Sequence, residues 1–267
     1  MAVHEITVAV ATHKKYRMPS DGVYLPLQVG KSAHPESCLG FETDDSGDNI
    51  SELNPYFSEL TGLYWMWKNC TSKYKGIVHY RRHFSRPGLF NTLGFRNGFV
   101  RIAREDDFRS LLKKYDIIVP RPRNYVIETV YSHYAHTLPV EQLDTTREIL
   151  NGFCPKYLKA FDEQMKSRKA HMFNMFIMRD SLMNEYCSWL FPILDELMKC
   201  IDPDKYYAFN ARYPGRISEI LLDVWLNTNH YKYVEMPTVS PEPVNWLKKG
   251  AGFLMAKFMG KKYTVSC

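Results

Sequence analysis

An α/β fold with a mostly parallel sheet flanked by helices is what this sequence predicts, and three observations predict it. Short β-branched apolar runs alternate with longer amphipathic segments, the order that lays strands side by side in one direction. Two of these runs break directly into polar, basic residues, as strands do where a parallel sheet turns its carboxyl edge toward a ligand. The composition is that of a globular protein with a sizeable core: 267 residues, 45% hydrophobic and 24% charged.

The elements follow in order. Ile6 to Ala11 is an apolar, β-branched run, read as a buried strand, and it ends in Thr12-His13-Lys14-Lys15. Residues 31–56 are polar, Gly- and Asp-rich, and read as a loop. A helix starts at Asn54 as N-cap with Pro55 at the first helical position, and Phe57, Leu60, Tyr64 and Trp67 form its core-facing stripe. The strand Gly76–Tyr80 follows at once and breaks into Arg81, Arg82 and His83. The stretch REDDFRSLLKKYDIIVP is a helix with an acidic start and a basic end, leading into a strand over 116–119 and then to Arg121 and Arg123. Residues 124–150, rich in Tyr and His, read as mostly helical. HMFNMFIM (171–178) reads as a buried strand, Ser181 to Lys199 as a helix kinked near Pro192, PGRISEILLDVWLN as a helix and YKYVEMP as a last strand.

Several function classes lose support at this level. No Walker A, G-x-G-x-x-G or G-x-S-x-G pattern occurs. Cysteines at 38, 70, 154, 187, 200 and 267 include no C-x-x-C pair, so reduced thiols and a cytoplasmic location are expected. No window approaches 18 apolar residues, and the amino terminus has no leader pattern. The net charge of +6 favours anionic partners, but the basic residues sit at loop ends rather than along one helix, which argues against nucleic acid.

The candidate site residues come from those loop ends. Thr12, His13, His79, Tyr80, Arg81 and Arg82 converge at one edge, where guanidinium forks suit a diphosphate; a surface ion pair is the other reading. His79 and His83 lie four apart, but at a strand-to-loop junction they share no helical face for a metal. Asp44, Asp45 and Asp48 fit a cation loop or a simple turn, and Asn49 and Asn54 could present amides to a ligand. Arg216, Glu219 and Asp223 share one face of their helix, either as a solvated ion pair or as a carboxylate base beside a cation. Asn174, an amide among Phe and Met, must find partners: a neighbouring loop or a sugar hydroxyl; His171 and Arg216 join it as candidate acceptor contacts. The tail 243–267 carries five lysines and no acid among aromatic and aliphatic residues. It suits an anionic membrane face, with Lys248 and Lys249 able to close over a phosphate, or a plain helix docked on the core.

VATHK, DDSGDNISELNPYFSELTGLYWMWKN, YKGIVHYRRHFS, YDIIVPRPRNY, AHMFNMFIM, GRISEILLDVWL and NWLKKG occur in this order and span almost the whole chain. Together they resemble a bacterial family of glycosyltransferases from capsular and exopolysaccharide gene clusters, long catalogued as a domain of unknown function. The resemblance implies a GT-A-like, Rossmann-type domain over 1–267. A nucleotide-sugar half (1–123) would be followed by a more helical acceptor half (124–267). It implies transfer of a UDP-linked hexose, in pyranose or furanose form, to a lipid-linked oligosaccharide at the inner membrane face. Such enzymes usually carry Asp-x-Asp where this chain reads His79-Tyr80-Arg81-Arg82. Arginine in place of a metal's charge implies transfer with no required cofactor, Mn or Mg being the alternative. Glu219, with Asp223 as fallback, corresponds to the acidic base of inverting members. A non-catalytic glycan-binding scaffold and a sugar-phosphate transferase are the competing readings.

Overall fold

The structure, a computed structural model, describes residues 4–86 and 98–241. The chain runs β1 (Ile6–Thr12), β2 (Tyr24–Gln28), β3 (Glu42–Thr43), α1 (Asn54–Phe57), α2 (Leu60–Asn69), β4 (Tyr74–His79), β5 (His83–Phe84), α3 (Glu105–Leu112), β6 (Ile117–Pro120) and β7 (Arg123–Asn124). It continues through α4 (Val130–Thr137), α5 (Glu141–Phe153), α6 (Leu158–Lys166), β8 (Lys169–Ala170), β9 (Phe176–Arg179), α7 (Asp180–Cys200), α8 (Ala208–Ala211), α9 (Tyr213–Asn229), β10 (Tyr233–Met236) and β11 (Thr238–Val239).

Seven strands form the central sheet in the order β10-β6-β9-β4-β1-β2-β3. Every pairing is parallel except those of β9, which lies antiparallel between β4 and β6. The expected α/β class with a mostly parallel sheet is therefore the observed one. Side chains alternate across the strands with a period of two. Ala9, Ala11, Ile77, Phe176 and Met178 enter the larger core beneath α2, α5, α6, α7 and α9. Val8, Val10, Val78, Ile118 and Ile177 enter the smaller core with α3. At Gly76 a Cβ would lie 2.6 Å from the Phe176 carbonyl oxygen, so only glycine lets β9 approach β4 this closely.

Three expectations need correction. Asn54 is the first residue of α1 rather than its cap, and its Nδ2 donates to Ser58 O (2.7 Å) and Thr61 Oγ1 (3.1 Å). The single helix expected from Asn54 is two, broken at Ser58, whose φ of 54° no helix accommodates. HMFNMFIM is not a strand throughout: β9 begins only at Phe176, and Phe173 and Asn174 take left-handed backbone (φ 84° and 49°). Residues 171–175 of that run are a largely buried loop, which apolar composition alone does not separate from a strand. The helix α7 runs on through Pro192. Lys248, Lys249 and the tail 243–267 lie outside the described residues.

Candidate active site

The β1–β4 register fixes where the basic loops emerge. The strands pair from Ile6 against Tyr74 to Ala11 against His79, so the chain after Thr12 and the chain after His79 leave the sheet side by side at its carboxyl edge. Tyr80 is the buried anchor of this edge: its N–H donates to Ala11 O (3.1 Å), and its ring meets His13 and Tyr16 edge-on. Thr12 closes its own loop, donating to Lys14 O at 2.7 Å. The turn after β4 is tied by Arg82 N–H to His79 O (2.7 Å) and by Arg81 N–H to His79 Nδ1 (3.2 Å). Burial, and then the neighbouring Arg81 charge, push the His79 imidazole down to about 3, so it is neutral and accepts that bond. His83 is fully buried in β5 and pushed down to about 4 by burial; its Nε2 meets Tyr80 O at 3.3 Å. It is a structural residue.

The edge is crowded with positive charge. His13 is held below its usual range by burial and then by Arg81, Lys14 and Arg212. Arg82 lies flat on the Phe173 ring, 3.5 Å from guanidinium carbon to ring centre, and its burial lowers its proton affinity. Arg212, which precedes α9, donates from Nε to Ser58 Oγ at 2.8 Å. Among the described residues Arg81, Arg82, Arg212 and Arg216 form no salt bridge with any carboxylate. Arg82, Arg212 and Arg216 are half-buried and Arg81 is exposed, and the excess of positive charge at this edge suits an anion.

Facing these cations are two carboxylates. On α9, Glu219 has its pKa raised to about 8, first by burial and then by the charge of Glu59, against the pull of Arg216, the nearby Phe173 amide and Arg82. Glu59 immediately precedes α2, with no capping bond from its side chain, and accepts from Asn174 Nδ2 at 2.8 Å. Burial raises its pKa too, against that bond and the charges of Arg212 and Arg216. Among the described residues, five non-glycine positions have positive φ; Ser58, Phe173 and Asn174 are three of them, and all three adjoin this pair. Such conformations cost about 1–3 kcal/mol each and collect at functional sites.

The structure sorts the other expected residues. Asn174 also donates to Gly215 O (2.9 Å) and accepts from Ser218 Oγ (2.7 Å), so it is spent on holding Glu59 rather than facing a sugar. Asp223 pairs with His171 Nδ1 and accepts from His171 N (2.9 Å) and Gln164 Nε2 (3.0 Å). Both its oxygens are engaged, which removes it as a fallback base. His171 is buried, and although burial pulls its pKa down, Asp223 and Glu235 raise it above the usual value. It braces the loop before β9 rather than an acceptor. Arg216 donates to Phe209 O (3.0 Å) and stacks on that ring, with its charge toward Glu219 and Glu59.

Asp44 is no cation ligand: it is fully buried and accepts from Gly30 N (2.9 Å), Lys31 N (3.1 Å) and Thr61 Oγ1 (2.6 Å), knotting the 30–61 loop. Asp48 and Asn49 lie against the carboxyl end of α2, bonded to Asn69, Tyr64 and local carbonyls. That end leads into the amino end of β4, opposite the arginines, so they do not join the site. Asn54 is consumed by its contacts with Ser58 and Thr61. No cluster of three or more His, Cys, Asp or Glu side chains is placed to hold a metal among the described residues.

Sequence reasoning missed Glu59 and Arg212. Glu59 was hidden inside an apparently continuous helix; the available signal was Ser58, a residue type that starts helices. Arg212 sits just before Tyr213-Pro214-Gly215, where the only cue was a helix start.

No curated protein matches the chain. Among solved structures, the fold is similar to the apo structure of WbbM, a bifunctional glycosyltransferase, with a TM-score of 0.80 and 27% identity over 88% of this chain. The chain spans only 45% of that protein's length. Residues 7–230 match the family described as Domain of unknown function (DUF4422), and the chain belongs to that family.

Proposed function

We propose that this chain is a glycosyltransferase that moves a sugar from a nucleoside diphosphate donor to an acceptor hydroxyl. The observation that carries the reading is the cluster of Arg81, Arg82 and Arg212 at the carboxyl edge of the sheet, none in a salt bridge among the described residues, beside Glu219 with its raised proton affinity. The likeness to a bifunctional glycosyltransferase supports it. In this reading the acceptor hydroxyl gives its proton to Glu219 as its oxygen bonds to the anomeric carbon. The anomeric carbon–oxygen bond to the diphosphate breaks, and the electron pair leaves on an oxygen held by Arg82 and Arg81. A UDP-hexose is the donor we favour, and thermal-shift screening of nucleotide-sugars tests it: UDP and its sugars should raise the melting temperature, and a response to glycans alone would point to a scaffold.

By the resemblance to GT-A enzymes the arginines stand in for a metal-binding Asp-x-Asp, and on this reading turnover should persist in EDTA. Abolition by chelator, restored by Mn or Mg, would overturn this.

A lipid-linked acceptor is the finer part of the reading. The turn after β7 exposes Val126 and Ile127 (66% and 67%), flanked by the exposed Arg123, Arg168 and Lys169. Val126 N–H donating to Asn124 Oδ1 (2.9 Å) and Arg168 Nη1 donating to the Val126 carbonyl oxygen (3.2 Å) hold the turn. An apolar tip among cations suits an anionic bilayer. Replacing Val126 and Ile127 together by Ser should reduce co-sedimentation with anionic phospholipid vesicles several-fold; undiminished binding would move the contact elsewhere.

A further inference from the structure

We infer that Glu59 is a positioning residue for the transfer: a second carboxylate set against Glu219, whose negative charge makes Glu219 the group that takes the acceptor's proton. The inference rests on the glycosyltransferase reading above and deepens it.

Three features of the fold aim Glu59 at this task. The chain breaks between α1 and α2 at Ser58, in left-handed backbone, which turns Glu59 off the helical stripe. Arg212 secures that break through the Ser58 hydroxyl. The loop before β9 then ties Glu59 to the helix of Glu219: Asn174 donates to Glu59 (2.8 Å), and the adjacent Phe173 backbone lies near enough to Glu219 to favour its charged form. Asn174 is itself fixed by Gly215 and Ser218 of α9, the helix that carries Glu219. Two acids on separate helices are thereby held to one loop, in backbone that residues other than glycine rarely adopt.

The surroundings decide which acid is the base. Glu59 has its side-chain amide donor and the charges of Arg212 and Arg216 to hold it ionised. Glu219 meets Arg216 on its own helix, Arg82 from the turn after β4 and the Phe173 amide, with Glu59 opposing them. Tyr125 and Tyr134 also feel its charge. Two like charges in one desolvated site cannot both be ionised cheaply, and their affinities separate. Glu59, raised by burial but held by its amide donor and two arginines, is the more readily ionised of the two, and Glu219 is left as the stronger base. The proton leaves the acceptor oxygen, is taken up by the ionised Glu219 carboxylate, and returns to solvent after product departs; Glu59 neither gains nor loses one.

The test needs no knowledge of the donor. The full chain is labelled with ¹³C at the glutamate carboxyl carbon and titrated by NMR, with Glu219→Gln identifying the Glu219 resonance. In Glu59→Gln, which retains an oxygen for the Asn174 bond, the Glu219 midpoint should fall by about one pH unit or more. Glu59→Asp, which keeps the charge, should restore most of it. An unmoved midpoint in a folded Glu59→Gln protein overturns the inference, as does a fall that Glu59→Asp shares in full. The two readings fail separately. Transfer that survives in Glu219→Gln removes the base assignment, whereas a fixed midpoint with transfer abolished by Glu219→Gln removes only the part played by Glu59.

Discussion

Replacing Glu219 by Gln should lower sugar transfer by about 10²–10⁴-fold while leaving the affinity for UDP nearly unchanged, because a general base contributes on that scale and does not touch the diphosphate. Gln keeps an acceptor oxygen toward the Phe173 amide and the shape of the side chain, so the loss reports the proton acceptor and not the fold. The pH dependence gives a second reading. Glu219 acts only when ionised, so wild-type kcat/KM should climb with pH and level off above about 8, the value to which burial and Glu59 raise its carboxyl. The stability linkage has a definite sign. A carboxyl whose folded pKa lies above its unfolded value favours the folded state at low pH, and that contribution is lost as pH rises from about 4.5 to about 8. Glu219→Gln should therefore melt higher than wild type at pH 8.5 and gain little at pH 4. Transfer close to wild type in a folded Glu219→Gln protein would reject the base.

Arg82→Ala carries the other large effect. Arg82 is stacked on Phe173, half-buried, within reach of the Glu219 charge and without a carboxylate partner among the described residues. As the charge that meets the departing diphosphate, its loss should cost about 10²–10³-fold in kcat, the scale for removing one preorganised donor from a transition state. UDP binding by calorimetry should weaken in parallel. Arg82→Lys should recover part of the affinity but little of the rate, since an ammonium restores charge without the planar fork or the stacking. Unchanged kcat and UDP affinity in Arg82→Ala would mean that the diphosphate lies elsewhere.

The parts of the fold legible in the sequence were those written in periodicity. β1 and β4 declare themselves as β-branched runs, α9 as an apolar stripe with Arg216, Glu219 and Asp223 opposite. The cationic edge was legible because an apolar strand that ends in two arginines has no packing reason to do so. What stayed hidden depends on tertiary partners. Asp223 and Glu219 are indistinguishable on a helical wheel, and only the approach of His171 and Gln164 separates them. Glu59 enters the site because Ser58 takes a backbone conformation that a helical pattern gives no cause to expect. Asp48 and Asn49 looked well placed in a polar loop, but the course of α2 carries them to the far edge of the sheet.

The antiparallel insertion of β9 governs when this protein can become itself. β4 and β6 have no direct partner in one another; each is completed by a strand made about a hundred residues after β4, with Ile77 facing Phe176. Until β9 has been made the middle of the sheet has two open seams, and Gly215 and Ser218, which hold Asn174, are made later still. Arg212 and Glu219 follow β9 in the chain, so the arrangement around Arg82 is complete only once α9 has been made as well.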